Sequence, residues 1–280
     1  MRVDAHQHYW SIERTDYGWL TPDKGVLYRN YGPEALKPLL ARYEFDATIA
    51  VQAAPSVEET FYLLRLGEVE PSLAGVVGWL DLSNPLMERD LIKMQEYPLF
   101  VGIRPMIQDL PDGWILQDAV VENIRMISEA DFPIDLQARP RHLPDLIRLA
   151  DRVPKLRAVI DHLAKPEIDG GAWLPWSECI AELAGHEGIF AKISGFSAEP
   201  GREWELEEAR PYVRHALEAF GPDRVMFGSD WPVCLESSTY DAVLQATVDF
   251  VPDSWTAVNR DALFGENAEK FYKLALVPGK

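Results

Sequence analysis

Cysteine is nearly absent from this 280-residue chain, which contains only Cys179 and Cys234. Two cysteines do not make a disulfide framework for a fold of this length, so we predict a protein of a reducing compartment. Long apolar runs are also missing, because the longest nearly apolar stretch, Leu73 to Leu80, is far shorter than the roughly 20 residues of a membrane span. The first residues lack the pattern of a signal peptide. We therefore expect a cytoplasmic protein.

Basic residues are few relative to acidic ones, with 27 Lys and Arg against 45 Asp and Glu and a formal net charge of -18. Such a field repels phosphate backbones and anionic lipid surfaces, so we predict neither a nucleic-acid partner nor a membrane partner. It does not exclude a small anionic ligand held by a local arginine. The 47% hydrophobic content is ample for a folded core.

Eight apolar, β-branched runs recur along the chain, and amphipathic helical patterns lie between them. The predicted strands begin at Arg2, Ala47, Leu73, Phe100, Pro133, Arg157, Ile189 and Val225. The predicted helices span residues 56–70, 84–96, 117–130, 142–153, 204–220 and 267–276. This alternation without a flexible linker predicts one α/β domain over residues 1–280, a (β/α)8 TIM barrel with a long first loop from Ser11 to Gly32.

In such a barrel, polar residues at the C-terminal ends of the strands face the active site. Applied to the eight predicted strands, this rule selects His6, His8, Gln52, Trp79 or Asp81, Arg104, Gln137 or Arg139, Asp161 or His162, Lys192 or Ser194, and Asp230.

His6 and His8 are two residues apart, so in a strand both side chains leave on the same face with Cα atoms roughly 7 Å apart. That spacing suits two imidazoles that meet at one cation or at one substrate oxygen. The alternative is an exposed strand with alternating polar residues. Val3 and Ala5 are expected on the opposite face.

Asp161 and His162 are adjacent, so the alternation of a strand allows only one of them to face the barrel axis. We expect His162 to do so, with Asp161 on the helix-facing side or at the last turn as an acceptor for a site residue. Asp230 can bind a metal, accept a proton or cap its loop. Arg104 can bind a substrate carbonyl or close the barrel end with an ion pair.

Six motifs, taken in order, resemble the amidohydrolase superfamily: HQHYW, GIRP, DHLAKP, KISG, GSDWP and FGENAEKFYKL. More closely they resemble its lactonase branch, which includes L-fuconolactonase, L-rhamnonolactonase, 4-sulfomuconolactonase and 2-pyrone-4,6-dicarboxylate lactonase. The YGWL at Tyr17 is similar to a motif of the sugar lactonases. The match covers nearly the whole chain.

The resemblance implies a distorted barrel with the active site at the C-terminal mouth. Two-metal members carry a lysine on strand 4 and a histidine on strand 5, but this chain has GIRP and DLQAR there, which argues against two zinc ions. One divalent cation, preferably zinc, is expected on His6, His8 and Asp230, with or without His162. Catalysis without a metal stays open.

The predicted activity is hydrolysis of a sugar-acid lactone, similar to L-fuconolactone. Asp230, His162 and Arg104 are the predicted catalytic residues. The predicted substrate contacts are Trp19, Tyr17, Gln137, Arg139 and Trp231. Three alternatives remain: a metal-dependent non-oxidative decarboxylase, a 2-pyrone-4,6-dicarboxylate-type lactonase and a barrel that binds without chemistry. Either a monomer or a homodimer is compatible with the sequence.

Overall fold

Eight parallel strands follow one another around the sheet in chain order in the computed structural model, which describes residues 1–196 and 205–275. They are β1 Val3–Gln7, β2 Ala47–Val51, β3 Leu73–Gly78, β4 Phe100–Ile103, β5 Ile134–Leu136, β6 Ala158–Ile160, β7 Ile189–Ile193 and β8 Val225–Phe227. The first and last strands meet at the mouth, where His8 N donates to Trp231 O at 2.7 Å and Asp230 N donates to His6 O at 2.9 Å. The sheet is thus nearly closed, and the predicted (β/α)8 barrel is confirmed.

Helices connect the strands and cover the outside of the barrel. They are α1 Pro33–Arg42, α2 Val57–Gly67, α3 Met87–Met94, α4 Asp118–Glu129, α5 Leu143–Arg152, α6 Trp176–Ala184, α7 Arg210–Phe220, α8 Tyr240–Phe250, α9 Ala257–Asp261 and α10 Asn267–Tyr272. The helix predictions had missed α1, α6, α8 and α9. The start of the helix predicted at 204–220 and the end of the helix predicted at 267–276 lie outside the described residues.

The N-terminal end of the barrel is filled by apolar side chains and covered by α10. Val3 and Ala5 of β1 belong to the same buried cluster as Phe271 and Tyr272 of α10. The expectation that Val3 and Ala5 face away from the histidine side is wrong. The pairing of β1 with β2 shifts register between Asp4 and Gln7, and such an irregularity lets residues on both sides of it face the interior.

The long first loop closes over the other end of the barrel. A short 3-10 helix spans Pro22–Leu27, and Trp10 N donates to Tyr31 O at 2.9 Å where the loop begins and ends. The indole N–H of Trp19 donates to Ala53 O at 2.7 Å. These bonds fix the loop beside the C-terminal ends of β1 and β2.

Within residues 1–196 and 205–275, we find no helix with the length and apolar character needed to cross a bilayer.

Candidate active site

His6, His8 and Asp230 form a triangle of ligand atoms at the mouth of the barrel. The Nε2 atoms of the two histidines are 3.3 Å apart. Oδ1 of Asp230 lies 3.3 Å from Nε2 of His8 and 3.7 Å from Nε2 of His6. All three residues are buried. The structure therefore brings together side chains that sequence reasoning had placed on two different strands.

Backbone features around the triangle hold these side chains in place. Nδ1 of His8 lies 2.7 Å from Val51 O, and a carbonyl oxygen only accepts, so His8 carries its ring hydrogen on Nδ1. A Cβ atom at Gly228 would lie 2.5 Å from the Cβ of His6, which explains the glycine at the end of β8. Asp230 itself adopts a left-handed backbone conformation (φ 55°), which turns its carboxylate toward the histidines.

The triangle fits one divalent cation. Ligands at 2.0 to 2.1 Å from a tetrahedral zinc ion are about 3.3 Å from one another, and two of the three observed separations are 3.3 Å. The hydrogen bond of His8 to Val51 O leaves its Nε2 with a lone pair, an arrangement typical of metal-bound histidines. Two imidazoles and one carboxylate are also a donor set that zinc prefers.

His162 enters the site through an unusual turn rather than through strand alternation. β6 ends at Ile160, and the four residues from His162 to Lys165 all have positive φ values between 51° and 56°. None is a glycine, and such conformations cost about 1 to 3 kcal/mol each, so the surrounding structure must impose them. Nδ1 of His162 lies 2.9 Å from Ser194 Oγ and 3.9 Å from Oδ2 of Asp230.

Asp161 also faces the interior, so the expectation that only one of this pair does so is wrong. Val159 belongs to the interior cluster, and alternation along β6 carries Asp161 to the same face. Oδ1 of Asp161 lies 3.4 Å from Nδ1 of His6, and Oδ2 lies 3.4 Å from Nη1 of Arg104. This contact matches the alternative that Asp161 is an acceptor for a site residue.

Lys192 of β7 and Asp135 of β5 extend this network below the mouth. Lys192 Nζ donates to Oδ2 of Asp135 at 2.5 Å and lies 3.3 Å from Oδ1 of Asp161. The Tyr272 hydroxyl donates to Asp135 at 2.8 Å. With Arg104, the buried cluster holds two positive and two negative side chains, so its formal charges balance. The strand-end rule selects Lys192 or Ser194 at the end of β7, and it does not select Asp135, which lies within β5 before the strand ends.

Arg104 lines the mouth but is held by protein groups. Its Nη2 donates to the backbone oxygen of Gln52, and the Gln52 side-chain amide donates to Arg104 O at 2.9 Å. Since Nη1 also faces Asp161, the guanidinium is a fixed positive charge at the floor of the site. Both alternatives for Arg104, an ion pair and a cation near the substrate, are compatible with this position.

Burial and mutual contacts set the charges of the triangle and its neighbours. Burial opposes ionisation of Asp230, but the imidazoles beside it, above all His162, outweigh burial and hold the pKa of its carboxyl well below the usual value. Burial lowers the pKa of His162 to about 4. Burial, aided by the Lys192 charge, lowers the pKa of His6 well below 6.5. At neutral pH the site therefore contains an ionised Asp230 and neutral His6 and His162.

A cavity of about 410 Å³ opens above these residues. Of the predicted substrate contacts, Trp19, Gln137 and Arg139 line it, together with the predicted catalytic residues Arg104, His162 and Asp230. Tyr17 lines a neighbouring cavity of about 490 Å³ with Trp79 and Asp81. The ring of Trp231 is buried edge-on against Tyr9 and Tyr31. Tyr17 and Trp231 are thus not walls of the histidine cavity, contrary to expectation.

Several residues of the cavity wall had not been predicted: Lys24, Met106, Gln108, Asp109, Lys165, Val233 and Glu236. They lie on loops and on short 3-10 helices within them, where no long periodic pattern marks the side of the chain that faces the site. The DHLAKP motif could have indicated Lys165, because Lys165 is the last residue of the turn that begins at His162.

Comparison with known proteins is consistent with this geometry. The profile of the family described as Amidohydrolase (Amidohydro_2) matches residues 3–274. The chain belongs to this family. Within it, the chain is 39% identical to a protein of Burkholderia ambifaria named L-fucono-1,5-lactonase, over 98% of this chain and 96% of that protein.

A second relative, from Burkholderia multivorans, is also named L-fucono-1,5-lactonase and is 34% identical over 98% of this chain and 96% of that protein. A crystal structure of a Burkholderia multivorans amidohydrolase with bound zinc is 33% identical. It superposes with a TM-score of 0.92 and covers 98% of this chain and 100% of that chain. The predicted resemblance to the amidohydrolase superfamily is therefore confirmed.

Proposed function

We propose that this protein is a lactonase that hydrolyses the cyclic ester of a sugar acid, of the L-fucono-1,5-lactone type. The observation that carries the proposal is the buried triangle of His6, His8 and Asp230 at the mouth of the barrel. The family and the two similar L-fucono-1,5-lactonases support the choice of reaction. We also propose that residues 1–280 form one catalytic domain.

Asp230 is the proposed general base. Its carboxylate is ionised at neutral pH, because the imidazoles around it lower its pKa. Oδ1 faces His8 and His6, whereas Oδ2 faces His162. The carboxylate therefore accepts a proton from a water molecule that attacks the lactone carbonyl, and it returns this proton to the leaving ring oxygen.

His162 orients the reacting groups rather than supplying a proton from its charged form. Since burial lowers its pKa to about 4, the ring is neutral at neutral pH. Ser194 Oγ lies 2.9 Å from Nδ1 and fixes the ring plane. Arg104 contributes a fixed positive charge that stabilises the negative charge developing on the carbonyl oxygen.

We propose one divalent cation, zinc before others, held by Nε2 of His6, Nε2 of His8 and Oδ1 of Asp230. The separations of these three atoms fit a single zinc ion, and so does the set of two imidazoles and one carboxylate. The similar Burkholderia multivorans structure contains zinc. When bound there, such an ion supplies Lewis acidity to the lactone carbonyl.

The substrate is proposed to occupy the cavity of about 410 Å³ above the triangle. Trp19 offers an aromatic face held by its bond to Ala53 O, and a neutral sugar ring packs well on such a face. Oε1 of Gln137 is a buried acceptor without a partner among the described residues. Gln137 and Arg139 are the proposed readers of the substrate hydroxyl groups.

A hydrolysis screen tests the proposal. Aldonolactones in weak buffer with a pH indicator are mixed with the purified protein, with and without a chelator and with zinc added back. We expect proton release from 6-deoxy-sugar lactones, its loss with the chelator and its recovery with zinc. Carbon dioxide release from an aromatic acid, without lactone hydrolysis, would instead identify a decarboxylase.

A further inference from the structure

The hydrogen bonds around His6 are arranged differently from those around His8. His8 holds a hydrogen on Nδ1, because Val51 O can only accept, and its Nε2 lies 3.3 Å from both Nε2 of His6 and Oδ1 of Asp230. Nδ1 of His6 has two neighbours of opposite kind. Lys192 Nζ lies at 3.2 Å and can only donate, whereas Oδ1 of Asp161 lies at 3.4 Å and can only accept as a carboxylate.

Without an ion, the bond between the two histidines determines the His6 tautomer. With its hydrogen on Nδ1, His8 has a lone pair on Nε2, 3.3 Å from Nε2 of His6, and Oδ1 of Asp230 lies 3.7 Å from the same His6 atom. Both neighbours are acceptors, so the contact between the histidines is a hydrogen bond only if His6 carries its hydrogen on Nε2. Nδ1 of His6 then accepts from Lys192. The bonds run in one direction, from Lys192 through His6 and His8 to Val51 O.

With an ion in the triangle, Nε2 of His6 must offer its lone pair instead. The neutral ring then loses the hydrogen on Nε2 and takes up one on Nδ1, so the number of bound protons does not change. The Nδ1–H group needs an acceptor. Oδ1 of Asp161 is buried and makes no hydrogen bond to any described residue, which makes it the acceptor in position.

We propose that Asp161 and Lys192 are positioning residues that select the two tautomers of His6. Lys192 holds the tautomer with hydrogen on Nε2, which cannot bind an ion through that atom. Asp161 holds the tautomer with hydrogen on Nδ1, which can. The proposal rests on the cation site of the proposed function, and it assigns a role to two residues that do not line the cavity.

Asp135 provides a charge-matched control for Asp161. Both carboxylates are buried and both contact Lys192, but Asp161 is the one that contacts His6. Asp161→Asn and Asp135→Asn therefore remove the same charge from the same cluster. Only Asp161→Asn alters the acceptor that faces Nδ1 of His6.

The first measurement is zinc affinity by competition with a chromophoric chelator. Asp161→Asn is expected to weaken zinc binding about 10–100-fold, the usual loss when a partner of a metal-bound histidine is removed. Asp135→Asn should change it less than about tenfold. Equal losses in the two variants would overturn the proposal, as would the absence of zinc binding by the wild type. Circular dichroism confirms that each variant folds.

The second measurement is made on the wild-type protein, and a variant serves only to assign the signals. Long-range proton–nitrogen correlation spectra of the imidazole rings, with His6 assigned from its missing signals in His6→Gln, distinguish the two tautomers directly. Hydrogen on Nε2 without zinc and on Nδ1 with zinc is expected. Hydrogen on Nδ1 in both states would overturn the proposal. Lactone hydrolysis is assayed in parallel, so that a failure of the proposed reaction is seen separately from a failure of the tautomer exchange.

Discussion

Oδ1 of Asp230 lies 3.3 Å from Nε2 of His8, although the two residues are 222 positions apart in the chain. Both are buried, and the barrel joins them because β1 and β8 are neighbours at its closure. One oxygen of the carboxylate thus faces the two histidines of β1, and the other lies beside His162.

Asp230→Asn is expected to lower lactonase turnover by two to four orders of magnitude, because an amide oxygen is a far weaker base than a carboxylate. Turnover is measured by steady-state kinetics with saturating zinc. Asp109→Asn is the matched control, since Asp109 also lines the cavity but lies outside the triangle. Near-normal turnover of Asp230→Asn would remove Asp230 from the chemistry.

His8→Gln is expected to weaken zinc binding by more than the roughly 10–100-fold that loss of an outer partner costs, since a direct ligand is removed. His142→Gln supplies the control, because His142 is equally buried but does not line the cavity. Chelator competition gives both affinities. If the two variants bound zinc equally well, His8 would not be a ligand.

Sequence reasoning could place most of the site because the barrel itself specifies where polar strand ends meet. His6, His8, His162 and Asp230 were each chosen by that rule, and the structure places them around one point. The rule works since it needs only the order of the strands, not the geometry of any loop.

The orientation of individual residues was harder to predict where the backbone departs from regular geometry. The register shift in β1 turns Val3 and Ala5 to the interior, and alternation past such a point cannot be followed from sequence. The left-handed turn that begins at His162 allows both Asp161 and His162 to face the site. No residue there is a glycine that would signal the turn.

Loop residues were the least predictable part of the cavity. Trp231 is conspicuous in sequence but packs against Tyr31, whereas Lys24 reaches the cavity from the long first loop. Long-range packing decides both positions, and no local pattern carries that information.

Gln137→Leu is expected to lower kcat/KM about tenfold, mainly through KM, because it removes one hydrogen bond to the substrate. The loss should shrink for a deoxy lactone that lacks the hydroxyl read by Gln137. Gln117→Leu, an exposed change at the start of α4, should leave both constants unaltered. An equal loss on every lactone tested would argue that Gln137 only shapes the cavity.

Glu59 of α2 gives a pH-dependent prediction for stability. Its carboxylate accepts from Ala54 N at 2.6 Å and Ala53 N at 2.9 Å, yet burial outweighs these bonds and raises the pKa of Glu59 from 4.5 to about 7. The folded protein therefore holds this proton more tightly than the unfolded chain does. The resulting stabilisation is fully present below about pH 4.5 and is lost as the pH rises through about 7.

Glu59→Gln removes this titration, because an amide does not ionise. We expect the free energy of unfolding of the wild type, relative to that of Glu59→Gln, to fall by roughly 2 to 3 kcal/mol between pH 5 and pH 8. Urea unfolding of both proteins at several pH values measures this difference in the free energy of unfolding. Glu58→Gln alters an exposed carboxylate on the same helix and should show no such trend. A difference between wild type and Glu59→Gln that stays constant across this pH range would show that Glu59 does not titrate there.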